Sequence, residues 1–266
     1  CWMMSPASAA ELLPKRPALF DVLVIDEASQ MKPEQAYSLI ARAKQVIVVG
    51  DRNQLPPTNF FQKRDLVADE DEVDVEIEDN ESILELADKV LATNGCSLGW
   101  HYRSRHQSLI SFSNYYFYEN SLTIFASNKV GSQVNLVQVE NPLYSGGINL
   151  PEVEQSIQAL KCQISAEPDR TILIATMNQA QTSELKIALE REIQNDPLLE
   201  KFSATHQSTL DELVVKNLEN VQGDERDVVI ISTVYGPGAD GRVMQNFGPV
   251  NKDSGWRRLN VLFTRA

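Results

Sequence analysis

Two short apolar runs that close on acidic or glycyl residues set the terms for what this chain can fold into. Asp21–Ile25 reads DVLVI and is followed at once by Asp26 and Glu27, and Gln45–Gly50 reads QVIVVG and is followed by Asp51. Continuous β-branched runs of this kind signal parallel strands covered on both faces. The segment between them, Pro33–Ala43 (PEQAYSLIARA), has helical apolar spacing with proline near its start. Strand, helix and strand in that order fit one right-handed βαβ unit. The pattern then continues with a helix over Glu81–Ala92 and a second α/β segment from Cys96. There the sequence predicts strands at Cys96–Trp100 (CSLGW), Thr171–Ala175 and Asp227–Val234. It predicts helices over His106–Tyr118, Pro151–Ser165 and Gln179–Ile193, and an irregular β-like stretch over Leu122–Pro142. The chain therefore divides into two α/β units, 1–92 and 93–266, joined near residues 88–95.

With 42% hydrophobic and 23% charged residues the chain has enough apolar content for a substantial core. It contains no run of 18 apolar residues, so no membrane-spanning helix is expected, and its first ten residues, CWMMSPASAA, lack the basic start of a signal peptide. Cys1, Cys96 and Cys162 are scattered, with no C-x-x-C. That argues against a zinc site or a disulfide scaffold and for a reducing, cytoplasmic location. The net charge of −13 argues at first against a nucleic-acid partner, but nine of those charges lie in one run, 69–81 (DEDEVDVEIEDNE), which holds no base. That run reads either as a solvated loop or as an insert that repels or mimics a polyanion.

Five motifs carry chemistry. In Val22–Ser29 (VLVIDEAS) a strand delivers two carboxylates to its carboxyl end, where open α/β sheets bind ligands. Phosphoryl transfer needs one acid to hold Mg²⁺ and a neighbour to orient or deprotonate water, and Asp26 and Glu27 suit those roles; an ordinary helix cap is the plainer alternative. Gly50–Pro57 (GDRNQLPP) follows the next strand, and the amide of Gln54 both donates and accepts, so it can sense a terminal phosphate. In His101–His106 (HYRSRH), Arg103 and Arg105 offer guanidinium forks for phosphate or, equally for Arg105, a surface ion pair. In Asn220–Asp227 (NVQGDERD), Gly223 permits close backbone approach and Glu225 offers a carboxylate acceptor. Trp256–Ala266 (WRRLNVLFTRA) starts a helix and carries Arg265, placed to stabilise charge on a γ-phosphate or, more plainly, to complement a helix end.

In this order the motifs resemble those of the superfamily 1 helicases, subgroup B, the senataxin-like group. Lys216–Ser232 (KNLENVQGDERDVVIIS) and Trp100–Asn114 (WHYRSRHQSLISFSN) look especially similar to a bacterial branch of large multidomain proteins. The resemblance implies RecA-like P-loop NTPase folds, that is, parallel sheets flanked by helices, with the first one incomplete. It implies ATP and Mg²⁺ as cofactors, with Asp26 on Mg²⁺ through water and Glu27 as catalytic base. Gln54 would couple the γ-phosphate to the nucleic-acid site, Arg103 and Arg265 would be arginines of the second domain, and Gly223 and Glu225 would lie on the nucleotide. Ser5, Pro6, Pro56, Pro57, Asn178 and Gln179 sit where the family touches single-stranded DNA or RNA, while His101 and His106 look like scaffolding. ATP would lie between the two domains, whose closure and release move the strand.

The chain departs from the family at two points: none of its 12 glycines is followed by lysine, so G-x-x-x-x-G-K-[ST] is absent from this sequence, and the expected second RecA-like domain, 93–266, is truncated inside the last motif. The expectation is a piece of a longer helicase, with the P-loop upstream and a nuclease-like domain downstream, that hydrolyses no ATP by itself. Two other readings stand beside it. One is a nucleic-acid-stimulated ATPase switch that feeds a nuclease without unwinding. The other is a non-catalytic interaction module that uses the acidic run to bind a basic partner.

Overall fold

A computed structural model describes residues 1–57, 82–207 and 211–265. The acidic run 69–81 lies outside the described residues, as does Ala266. The chain forms two compact units, Cys1–Leu98 and Gly99–Ala266.

In the first unit, α1 (Pro6–Leu12) leads to β1 (Phe20–Ile25), a 3₁₀ turn (Ala28–Gln30), α2 (Pro33–Ile40), β2 (Ala43–Val48) and α3 (Ile83–Val90). β1 and β2 pair in parallel, with Phe20 opposite Ala43 and Ile25 opposite Val48. The helix between them starts on proline, whose fixed φ suits a first turn and whose missing N–H costs nothing there. Ser82 caps α3, accepting the Glu85 amide while Glu85 returns a bond to the Ser82 amide. Strand alternation sends Leu23, Ile25, Val46 and Val48 inward against Ala28, Ala36, Ile83 and Leu84. The other face keeps Val22, Val24, Ile47 and Val49 exposed. Among the described residues of this unit, α2 and α3 cover one face of the sheet.

The second unit is built around β7 (Ile172–Thr176), buried at all five positions. It lies between β8 (Val214–Asn217) and β9 (Val228–Ser232), both parallel to it. Three helices supply the packing: α5 (Leu150–Ala166), α6 (Gln179–Asn195) and α7 (Pro197–His206). From α5, Val153, Ile157, Leu160 and Ile164 repeat at helical spacing and meet Ile172 and Ile174 of β7, Leu185 and Leu189 of α6, and Leu199 and Phe202 of α7. Each such buried aliphatic or aromatic side chain contributes about 1.5–3 kcal/mol through removal from water. Ahead of this core come β3 (Trp100–His101), α4 (Gln107–Phe117), β4 (Thr123–Ile124) and a small hairpin of β5 (Tyr144–Ser145) and β6 (Ile148–Asn149); α8 (Trp256–Phe263) closes the unit and packs on α4.

Several boundaries differ from the sequence expectation. CSLGW forms a strand only at Trp100, because β3 finds a partner at just two positions of β4 and Leu98 stands 84% exposed. The irregular stretch 122–142 contributes only that short β4. β9 stops at Ser232 because Val234 takes φ +70°, which no strand accommodates.

Candidate functional site

At the carboxyl end of β1 the chain turns sharply while holding its ladder. Val49 N–H donates to Ile25 O (2.8 Å) and Ala28 N–H donates to Val49 O (2.9 Å), so β2 grips the chain on both sides of Asp26-Glu27. Within that span Asp26 Oδ1 accepts the Glu27 amide (2.9 Å), and Glu27 occupies the left-handed region at φ 50°, ψ 39°. A non-glycine residue held there costs about 1–3 kcal/mol. The turn leaves both carboxylates exposed and buries the two residues after them, Ala28 and Ser29. Gln30 Nε2 donates to Glu27 Oε2 (3.1 Å), fixing the direction of that carboxylate.

β2 delivers its own polar turn beside this one. A Cβ on Gly50 would lie 3.0 Å from the Leu84 side chain and 3.1 and 3.2 Å from the amide nitrogens of Ser29 and Ala28, so the two strand ends close up only because residue 50 is glycine. Asp51 accepts the Asn53 amide (2.9 Å) and Gln54 Nε2 (3.1 Å), which orients the Gln54 amide. Asp26, Glu27, Asp51 and Gln54 thus share one end of the parallel pair. Pro56 and Pro57 are buried beside Leu55. Ser5 is exposed at the start of α1, where its hydroxyl accepts the Ser8 amide (3.2 Å), and Pro6 begins the helix.

Among the described residues no three His, Cys, Asp or Glu side chains converge as a metal cage. Mg²⁺ does not need one: it keeps several waters and takes one or two carboxylates together with substrate phosphate oxygens. The exposed Asp26 carboxylate, with Asp51 on the adjoining strand end, fits that donor set. The phosphate side of a nucleotide finds less here, since this sequence supplies no glycine-rich nest with its lysine.

The second unit brings two of the sequence motifs together. Arg103 Nε lies 3.3 Å from Glu225 Oε2, and Arg105 Nη1 lies 3.2 Å from Asp227 Oδ1, so HYRSRH pairs residue for residue with NVQGDERD. Arg105 is 76% exposed, which makes its pair a weak one. Burial pushes the Asp227 carboxyl up, but the Thr171 amide, Arg170, the Thr171 hydroxyl and Arg105 outweigh it and leave Asp227 below the usual carboxylate value. His101 Nε2 accepts the Ser104 amide (3.1 Å), bending the loop that carries Arg103; burial first, then the charge of Arg103, hold this imidazole below its ordinary value. His106 is buried and caps α4, accepting the Ser108 amide on Nδ1, which leaves Nε2 to donate to Lys129 O (3.2 Å).

Gly223 stands at φ +87° with no atom within 4 Å of where a Cβ would be, so backbone conformation rather than crowding selects glycine. Arg265 is 3% exposed, and its guanidinium donates to Val261 O (2.8 Å), Thr264 Oγ1 (2.9 Å) and Asp224 O (3.4 Å). Asn178 caps α6 through the Gln181 amide (2.8 Å) and donates to Gly147 O (2.8 Å). Gln179 is exposed and accepts Asn217 Nδ2 (2.7 Å).

One polar cluster escaped the sequence reading. Glu152 is buried, and both its oxygens accept the Val234 amide at 3.0 Å; Oε1 also accepts the Thr233 hydroxyl (3.3 Å) and Oε2 accepts Asn149 Nδ2 (3.2 Å). Asn149 Nδ2 donates to Val234 O (3.1 Å), and the Asn149 backbone is tied to the fully buried Gln181. This cluster holds Val234 in its left-handed conformation and links the end of β9 to the start of α6, the helix that Asn178 caps. The signal that could have revealed it is the Asn149-x-x-Glu152 spacing at a helix start, which resembles a capping box.

Comparison with known proteins adds the following. Residues 80–266 match a family model described as AAA domain, and residues 6–62 match a second model of the same description. An uncharacterized ATP-dependent helicase of Mycoplasma genitalium is 34% identical over 99% of this chain and 24% of its own length. The DNA-binding protein SMUBP-2 of Rattus norvegicus is 27% identical over 93% of the chain and 24% of its own, and the helicase sen1 of Schizosaccharomyces pombe is 25% identical over 93% and 14%. The chain therefore spans about a quarter or less of the length of these relatives.

Proposed function

This chain belongs to the AAA domain family of superfamily 1 helicases, and on that premise we propose that it forms part of a motor that couples ATP hydrolysis to movement along single-stranded DNA or RNA. The observation that supports this best is the turn at the end of β1, where strained backbone holds Glu27 out beside the exposed Asp26. In the proposed reaction Asp26 would hold Mg²⁺, which would supply charge neutralisation on the phosphates when bound. Glu27 takes the proton of the attacking water, and Gln54, aimed by Asp51, senses whether a terminal phosphate is present. From the second unit Arg103 and Arg265 stabilise the developing negative charge, and Gly223 and Glu225 lie against the nucleotide. Arg265 must first give up its bonds to Val261, Thr264 and Asp224, and Arg103 its pair with Glu225. Ser5, Pro6, Pro56, Pro57, Asn178 and Gln179 serve the nucleic-acid strand, with Pro56 and Pro57 acting by stiffening the loop in which they are buried.

The test is ATP turnover with and without single-stranded DNA or RNA. It is run on this chain and on a fusion in which a P-loop segment taken from a matched relative precedes residue 1. The expected result is negligible turnover in the first and polymer-stimulated turnover in the second, abolished by Glu27→Gln. Stimulated turnover that survives Glu27→Gln, or its absence from a folded, nucleotide-binding fusion, refutes the assignment.

A further inference from the structure

A cleft of about 480 Å³ in the first unit is walled by Lys15, Arg16 and Arg42, with Ala10, Pro17 and Ser38 beside them. Lys15 and Arg16 precede β1, and Arg42 directly precedes β2. The cleft therefore sits at the amino ends of the strands, and Asp26 and Glu27 sit at the carboxyl ends. Six residues of strand at about 3.3 Å each separate the two, on the order of 20 Å.

The electrostatics of this cleft are unbalanced. Arg42 is 6% exposed, and its guanidinium donates through Nε to Pro14 O (3.1 Å) and through Nη1 to Ser38 O (2.6 Å). Both are neutral carbonyls. Buried charges are as a rule paired, because desolvating one alone is expensive. The carbonyl end of α2 offsets at most about half a unit of charge. Lys15 and Arg16 are exposed on the same wall, and among the described residues no acidic side chain contributes to it and neither cation forms an ion pair. Elsewhere in the unit the balance is kept: Lys44 pairs with Asp21 and Arg52 with Asp88. In a chain with 37 acidic residues against 24 basic ones, three cations that face one cleft without a counter-charge among the described residues make it a place suited to an anion.

We propose that this cleft binds a phosphate group, with Arg42 as its buried anchor and Lys15 and Arg16 closing on it from the surface. A planar guanidinium held by two carbonyls presents its remaining N–H groups in a fixed fork, the geometry that suits phosphate oxygens. The phosphate is a diester of a nucleic-acid backbone or a free inorganic phosphate or pyrophosphate; the recognising chemistry is the same. The site is separate from the one assigned to ATP and does not depend on that assignment.

The experiment titrates the 266-residue chain with inorganic pyrophosphate and, separately, with a single-stranded oligonucleotide, by calorimetry at several salt concentrations. The variant is Lys15→Gln/Arg16→Gln, which leaves both Arg42 bonds intact and so keeps the fold; its unfolding midpoint is measured alongside. The expected result is a tenfold or greater weakening of at least one ligand with the midpoint unchanged. For the oligonucleotide, the loss of two phosphate contacts also lowers the slope of log K against log salt by about 1.4. Pyrophosphate displaced by the oligonucleotide, or an oligonucleotide effect alone, identifies backbone phosphate as the ligand; pyrophosphate that is not displaced identifies a small phosphate. A chain that binds neither ligand, or binds both equally well after the double substitution, overturns the proposal. Turnover of the P-loop fusion is read in parallel: turnover lost with phosphate binding intact sinks the ATP reading alone, and binding lost with turnover intact sinks this one alone.

Discussion

Replacing Glu152 by Gln tests the buried cluster at the end of β9 with almost no change of shape. The carboxylate accepts from three donors: the Val234 amide shared between both oxygens, the Thr233 hydroxyl on one and Asn149 Nδ2 on the other. Glutamine keeps one accepting oxygen and puts an NH₂ group where the other was. If the retained oxygen serves Val234 and Thr233, the new NH₂ confronts the Asn149 amide, and one hydrogen bond to a charged group, worth about 1.5–3 kcal/mol, is lost. The remaining bonds fall to neutral strength, roughly half of what they were. Against this, the left-handed Val234 stores about 1–3 kcal/mol that a loosened turn recovers in part. The net expectation is a destabilisation of the second unit by about 2–3 kcal/mol. Urea unfolding measures that change, and hydrogen exchange across Val228–Tyr235 localises it, with the Val234 amide losing protection first. A loss below about 0.5 kcal/mol, the range of ordinary surface substitutions, would show that the carboxylate does not hold the turn.

Two further outcomes follow from the geometry. Gly50→Ala places a methyl 3.0–3.2 Å from Leu84 and from two backbone nitrogens; overpacking of this kind costs about 1–3 kcal/mol, and a lowered thermal midpoint confined to the first unit is the readout. Asp227 has a folded pKa below its unfolded value of about 3.9, so its contribution is fully present above that value and is lost as pH falls through the folded one. Asp227→Asn is accordingly destabilising at pH 7, and urea titrations at descending pH show the gap between variant and wild type closing in strongly acidic solution; a gap independent of pH contradicts the pairing.

The parts of the fold visible in the sequence are those whose pattern is set by local burial. VLVI and VIVV are β-branched and end in polar turns, TILIA is buried at nearly every position, and the α5 and α6 stripes repeat at helical spacing. The Val214–Asn217 strand went unseen because four residues with a lysine among them carry little periodicity; its partner β7, not its own composition, makes it a strand. The helix Pro197–His206 follows Asn195 after the single residue Asp196, whose side chain caps the new helix, and so disappears into the preceding one. At the candidate site, the placement of Asp26, Glu27 and Gln54 just past strand ends was legible because each follows an apolar β-branched run. Glu152 was not, because its meaning lies in a backbone amide 82 residues away that only the folded chain brings to it.

The left-handed backbone at Glu27 also says something about what has shaped this chain. Glycine at that position would relieve the torsion and stabilise the turn; a glutamate there is a residue that folding alone would discard. A library of residue 27 variants sorted only for thermal robustness should therefore drift toward glycine or asparagine, and the same library in the P-loop fusion, sorted for turnover, should return to glutamate on the role proposed for it. On the role proposed for Glu27, robustness and activity pull in opposite directions at this position.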